Sequence, residues 1–280
     1  MRKISLLPVF LAVSLIGAGC SGKTAPSGTP EGVPAGPKPA TFESLSPAEA
    51  AKKINFTAGN ILVMKQSFSG SGAEIAEKLG WGKELTRTIV IRRFAPKNRA
   101  DLEWKISTEG ATGTKQYVGA VLDGRLTNSP DILSPSLWTE GEKNALGSSL
   151  IWLSSDVFEN FSRSKSSVLR IDLDELPAQL ELTKDPYVKG INALKAEVKK
   201  IIDRTDVYYA TAKDLSTRKL MVNGKEIEVE VLTIQSWFGE FTVLNNPQNP
   251  LVLEFKSTLP PKTLDGFLDF RIEELKELQE

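Results

Sequence analysis

The chain has 280 residues, 35 Lys and Arg against 35 Asp and Glu, no histidine and a single cysteine. Balanced charge leaves no basic excess to neutralise phosphates, so nucleic acid is not expected as a partner. Without histidine, neither a Ser-His-Asp nor a Cys-His site nor His-ligated zinc can be built, and one cysteine closes no intrachain disulfide.

Arg2 and Lys3 precede an apolar run, Ile4 to Ile16, followed by the small residues Gly17, Ala18 and Gly19. This charged, apolar, small-residue order predicts a secretory signal peptide over residues 1–19. The run is shorter than the ~18 to 20 residues of a membrane-spanning helix. The small residues ending at Cys20 resemble the lipobox of bacterial lipoproteins, although Gly17 stands where that family most often has Leu. The resemblance implies that the Cys20 thiol is acylated with diacylglycerol, that the chain is cut before Cys20, and that the new amino terminus is acylated as well. Two or three acyl chains hold firmly where one is weak. The membrane is therefore the expected partner of Cys20. Ser21 rather than Asp follows the cysteine, which by the same resemblance points to the outer membrane, facing the periplasm or the cell surface. The alternative is an ordinary signal peptide, leaving a free thiol.

Ser21 to Ala40 holds five prolines and four glycines and almost no large apolar residue. Such a stretch cannot offset its ordering entropy by burial. It reads as a tether over residues 20–40, spanning roughly 25 Å as a coil or about 60 Å as polyproline II. Residues 41–280 are expected to form one globular domain.

In that domain Ser46 to Ile54 predicts a helix, with Ser46 at the N-cap and Pro47 at the first helical position. Asn60 to Phe68 and Thr86 to Phe94 read as strands, with a short helix from Gly72 to Leu79 between them. Asp101 to Ser107 alternates Leu102, Trp104 and Ile106 against Asp101, Glu103 and Lys105, as a half-buried antiparallel strand does. Tyr117 to Asn128 carries Asp123-Gly124, and Met221 to Trp237 carries Asn223-Gly224; both dipeptides suit a type I′ hairpin turn. Ser155 to Ser162 predicts a short helix. Asp185 to Arg204 predicts the one long helix, with Tyr187, Ile191, Leu194, Val198 and Ile201 on one face. Phe241 to Leu244, Leu251 to Ser257 and Phe267 to Ile272 complete the strands. The expected fold is α+β: a curved, antiparallel β-rich sheet with one long helix and a few short ones.

Few motifs offer chemistry. S-x-x-K spacing occurs at Ser162/Lys165 and Ser216/Lys219, the pattern of a serine with a lysine base. Asp172 and Asp174 form a possible carboxylate pair, with Asp185 farther on. Phe68 to Gly72 (FSGSG) has some likeness to a phosphate-cradling loop but lacks its Lys-Ser/Thr pair. Asp172 to Glu175 has some calcium-ligand character without an EF-hand's central glycine. Each is better explained as a turn, a loop or a solvated strand end, so no catalytic residue, metal site or cofactor is expected. Among Trp81, Trp104, Trp138, Trp152 and Trp237, Trp104 falls on the apolar phase of its strand and reads as core. Trp138 and Trp152 flank a stretch of mixed polarity and are the candidate binding residues, lining or covering an apolar cavity.

The segment GEFTVLNNPQNPLVLEFKSTLP, residues 239–260, resembles segments near the end of uncharacterised exported bacterial proteins, which supports a bacterial origin and no particular activity. The expected function is a non-catalytic, membrane-tethered envelope lipoprotein that binds a lipid-like ligand or an envelope protein. The alternatives are a structural or assembly component of the envelope, and a hydrolase using carboxylates or Ser-Lys.

Overall fold

The computed structural model describes residues 41–78, 81–110, 113–138, 140–145, 147–172, 209–258 and 266–279. The described residues all fall in one compact unit. Residues 1–40, where a signal peptide, an acylated Cys20 and a tether are expected, and the long helix expected over 185–204 lie outside the described residues.

Strands dominate. β1 (Ile61–Ser67), β2 (Glu84–Ala95), β3 (Arg99–Gly110), β4 (Gly113–Arg125) and β6 (Gly141–Asn144) form a wing. β9 (Tyr209–Val222), β10 (Lys225–Gln235), β11 (Gly239–Leu244), β12 (Val252–Ser257) and β13 (Phe270–Lys276) follow one another around a ring, and β7 (Ser166–Val168) extends from β9. The eleven strands make one sheet in the order β6-β4-β3-β2-β1-β13-β12-β11-β10-β9-β7. β13 joins wing to ring, with β1 along one edge. Its other edge is shared, Phe270 and Arg271 pairing with β12 and Glu274 and Leu275 with β9. That last pairing closes the ring. The Arg218–Glu254 ion pair, 2.7 Å, ties together the two strands that share the edge. The expected sheet is present, but it is mixed rather than purely antiparallel, since β4–β6 and β13–β9 run parallel.

The wing buries one face. Leu62 and Met64, Leu85, Ile89 and Ile91, and Leu102, Trp104 and Ile106 point into the core, while Thr86, Lys105 and their neighbours face out. Each such large apolar side chain contributes about 1.5–3 kcal/mol on burial. Residues 126–172 cross this face as a cover. They include β5 (Asp131–Ile132), β8 (Arg170–Ile171) paired with it, and the helix α3 (Ser155–Ser164). Arg170 holds the two short strands together, its Nε and Nη2 donating to both oxygens of Asp131 at 2.6 and 2.7 Å.

The helices among the described residues are short: α1 (Pro47–Lys53), α2 (Gly70–Lys78) and α3. α1 starts with a full capping box, Ser46 and Glu49 satisfying each other's backbone amides. Its far end is held from the β11–β12 loop. Asn246 Nδ2 donates to the carbonyls of Ala51 and Ile54 at 3.0 and 2.7 Å. Asn249 Nδ2 donates to Ile54 O at 3.1 Å. The Asn-Pro-rich loop is thus a remote cap for otherwise unpaired helix carbonyls.

Two turn dipeptides behave differently. Asn223-Gly224 is the expected two-residue hairpin, with φ of 49° and 80° between paired Val222 and Lys225. Asp123-Gly124 is no turn. It lies within β4 at a bulge opposite Asp101, where Asp123 takes φ 59° and its amide donates to Asp101 Oδ1 at 2.9 Å.

Candidate functional site

One side chain breaks the apolar pattern of the wing. Arg87 occupies the inward phase of β2, between Leu85 and Ile89, opposite Met64 on β1 and Ile106 on β3. It is completely buried. Its guanidinium lies against two indoles, 4.8 Å from the Trp104 ring centre and 5.2 Å from that of Trp138. Such cation–π contacts are strongest where water is excluded. Trp104 spreads over Gly119, its cross-strand partner, and a Cβ there would meet the indole at 2.7 Å. The glycine is what lets the ring lie under the arginine.

Gln66, also fully buried, is a diagonal neighbour of Arg87 on the same face. Both side chains reach one turn of the cover. Arg87 Nη1 donates to Pro135 O, and Gln66 Nε2 donates to Ser136 Oγ at 2.6 Å. Ser136 Oγ in turn donates to Phe267 O at 2.5 Å. Trp138 closes the turn from above, its indole N–H donating to Leu133 O at 3.3 Å.

The cluster is not satisfied. Arg87 Nε and Nη2, Gln66 Oε1 and Trp104 Nε1 are buried with no hydrogen-bond partner among the described residues. No described carboxylate pairs with Arg87, and burial pushes its guanidinium down to about 9, so it is still charged at neutral pH. Unpaired buried polar groups cost about 1–3 kcal/mol each, and a buried charge costs more. The apolar walls continue at this end of the sheet. Trp81, half-buried, stacks on Phe267 at 6.1 Å, and Phe68 packs against both.

The two tryptophans expected to bind are both core residues here. Trp138 is 2% exposed and belongs to the arginine cluster. Trp152 is fully buried and sits elsewhere, against Phe56 and Phe94, its N–H donating to Asn249 Oδ1 at 2.7 Å. The surface concavities at Asn223, Glu274 and Lys276 and at Lys65, Glu254 and Arg271 are walled by mixed charges and touch neither ring.

The weaker motifs assemble no reactive site among the described residues. Ser216 and Lys219 lie three apart on β9 and therefore face opposite ways. Lys219 pairs with Glu226 at 2.7 Å, which holds its ammonium above the ordinary lysine range. Ser162 donates to Phe158 O at 2.9 Å within α3, and Lys165 is the exposed left-handed cap of that helix. The FSGSG stretch joins β1 to α2, but β1 and β2 are antiparallel, so no parallel strand–helix–strand unit cradles a phosphate. Asp174, Glu175 and Asp185 lie outside the described residues, and no group of three potential metal ligands occurs among the described ones. Arg87 and Gln66 were missed because the segment reads as an apolar strand. The available signal was phase: Leu85, Arg87, Ile89 and Ile91 share one face, so the arginine had to point inward.

Comparison with protein-family models, curated proteins and solved structures gives no match for this chain.

Proposed function

We propose that this protein is a non-catalytic envelope lipoprotein, anchored through acyl chains on Cys20, that binds a lipid-like ligand between the β wing and the cover formed by residues 126–172. The observation that carries the binding role is the junction between turn and wing. Residues 133–138 rest on a deep apolar face through aromatic packing and a few polar bonds, above a polar cluster whose hydrogen bonding is incomplete. Packed interiors ordinarily complete such networks. A ligand that displaces the turn meets an apolar wall of Met64, Ile106 and Trp104 and a polar floor. Anchor and tether keep the domain within reach of a bilayer, where such ligands are abundant.

Native mass spectrometry of the protein extracted from the membranes of its own host tests this. A non-covalently bound molecule of lipid mass supports the reading. Repeated recovery of the protein without one, cross-linked instead to another envelope protein, favours the assembly role, and exposed Tyr209 and Leu215 on β9 are where such contact would be sought.

A further inference from the structure

We propose that Arg87 is the counter-charge for an anionic headgroup, so that the ligand is an acidic amphiphile rather than a neutral lipid. The inference rests on the lipid-binding reading above and specifies its chemistry.

What sets Arg87 apart is which of its atoms are unpaired. Nε and Nη2 form one edge of the guanidinium, the edge that pairs side by side with the two oxygens of a carboxylate or phosphate. Elsewhere in this protein that edge is used in this way: Arg170 offers Nε and Nη2 to Asp131. Arg93 turns the same edge to Asp101, both nitrogens donating to the one oxygen Oδ2. Both of those arginines keep part of their surface in water. Arg87 is the fully buried one, and its Nε–Nη2 edge has no partner among the described residues, only Nη1 being engaged, by Pro135 O. Its immediate neighbours on β1, β2 and β3 are Met64, Leu85, Ile89 and Ile106, none of which supplies charge. An anion at that edge completes two charge-assisted hydrogen bonds where water is excluded. Trp104 Nε1, on the indole that packs against the guanidinium, is a further buried donor with no partner among the described residues. The surrounding aliphatic and aromatic walls exclude a small hydrated anion as the preferred ligand and favour one that carries a hydrocarbon chain.

The test is calorimetric titration of the full chain with hexadecanoate, hexadecan-1-ol and inorganic phosphate at pH 8. The expected result is hexadecanoate bound at least tenfold more tightly than the alcohol, with phosphate bound weakly. In Arg87→Met that preference disappears while the alcohol still binds. Equal affinity of the wild-type chain for acid and alcohol overturns the counter-charge and leaves lipid binding standing. Binding of neither overturns both. Phosphate bound as tightly as hexadecanoate overturns the amphiphile and assigns the site to a free anion. The ligand comparison needs only the wild-type chain, so a failure of Arg87→Met to fold does not protect the proposal.

Discussion

Replacing Arg87 by methionine is expected to stabilise the ligand-free protein. Burial lowers the guanidinium to about 9. At about 1.4 kcal/mol for each tenfold change in the protonation equilibrium, this represents a cost of roughly 5 kcal/mol for keeping the charge in the core. Methionine removes that cost and keeps most of the volume among Met64, Leu85 and Ile106. Against it stand the lost bond to Pro135 O, about 1.5–3 kcal/mol, and the lost stacking on Trp104 and Trp138, about 1–2 kcal/mol. The balance is a gain of about 1 kcal/mol, raising the melting temperature of a domain this size by about 2–4 °C. Urea unfolding followed by tryptophan fluorescence reads it as a higher midpoint at unchanged slope. The pH dependence has a fixed sign. The folded guanidinium is lowered, so above about pH 9 the unfolded chain holds more protons at this one group and the penalty that Arg87 imposes falls as pH rises. The wild-type deficit against Arg87→Met is therefore full at pH 7 and shrinks towards pH 10.5. A loss of more than about 2 kcal/mol in Arg87→Met would overturn this expectation, because it would mean that the charge is well paired in the folded protein.

Gly119→Ala should cost about 1–3 kcal/mol in urea unfolding, because its Cβ lands 2.7 Å from the Trp104 ring and lifts it into Arg87. Asn249→Leu leaves the buried Trp152 N–H without its acceptor, while Ile54 O keeps Asn246 Nδ2, and should cost about 1–3 kcal/mol in the same assay. Burial raises the Asp101 carboxyl, but the Asp123 amide and the Arg93 and Arg99 guanidiniums outweigh it and hold it below the usual carboxylate range. Its contribution is therefore present above about pH 4 and lost as pH falls through the lowered value. Asp101→Asn should be less stable by about 1–2 kcal/mol at pH 7, the gap narrowing in acid denaturation curves. Cys20→Ser should move the protein from the membrane pellet to the soluble fraction of fractionated cells; retention in the pellet would contradict acyl anchoring.

Much of the sheet was legible because its signals are local. One-sided burial imposes the two-residue alternation of Leu102, Trp104 and Ile106, and Asn223-Gly224 fixes a hairpin by its own backbone preference. Asp123-Gly124 carries the same local preference, yet a bulge opposite Asp101 satisfies it equally well, and only the partner strand decides. The Asn-Pro residues of the β11–β12 loop carry a local turn signal, but their role is non-local, since Asn246 and Asn249 cap a helix almost two hundred residues earlier in the chain. Closure of the ring was illegible, because two residue pairs between β13 and β9 leave no pattern in sequence. The site was half legible. Trp138 was singled out for an apolar cavity, and it instead covers a cation whose only trace was one arginine in the wrong phase of an apolar strand.

In the proposed complex the buried edge of Arg87 receives an acidic amphiphile beneath the 133–138 turn. A crystal structure of the full chain grown with hexadecanoate tests it most directly. The carboxylate is expected within about 3 Å of Arg87 Nε and Nη2, with the acyl chain along Met64 and Ile106 and with Pro135 and Trp138 displaced. Hexadecanoate bound only at the protein surface, with Arg87 still enclosed by the unmoved turn, would contradict it.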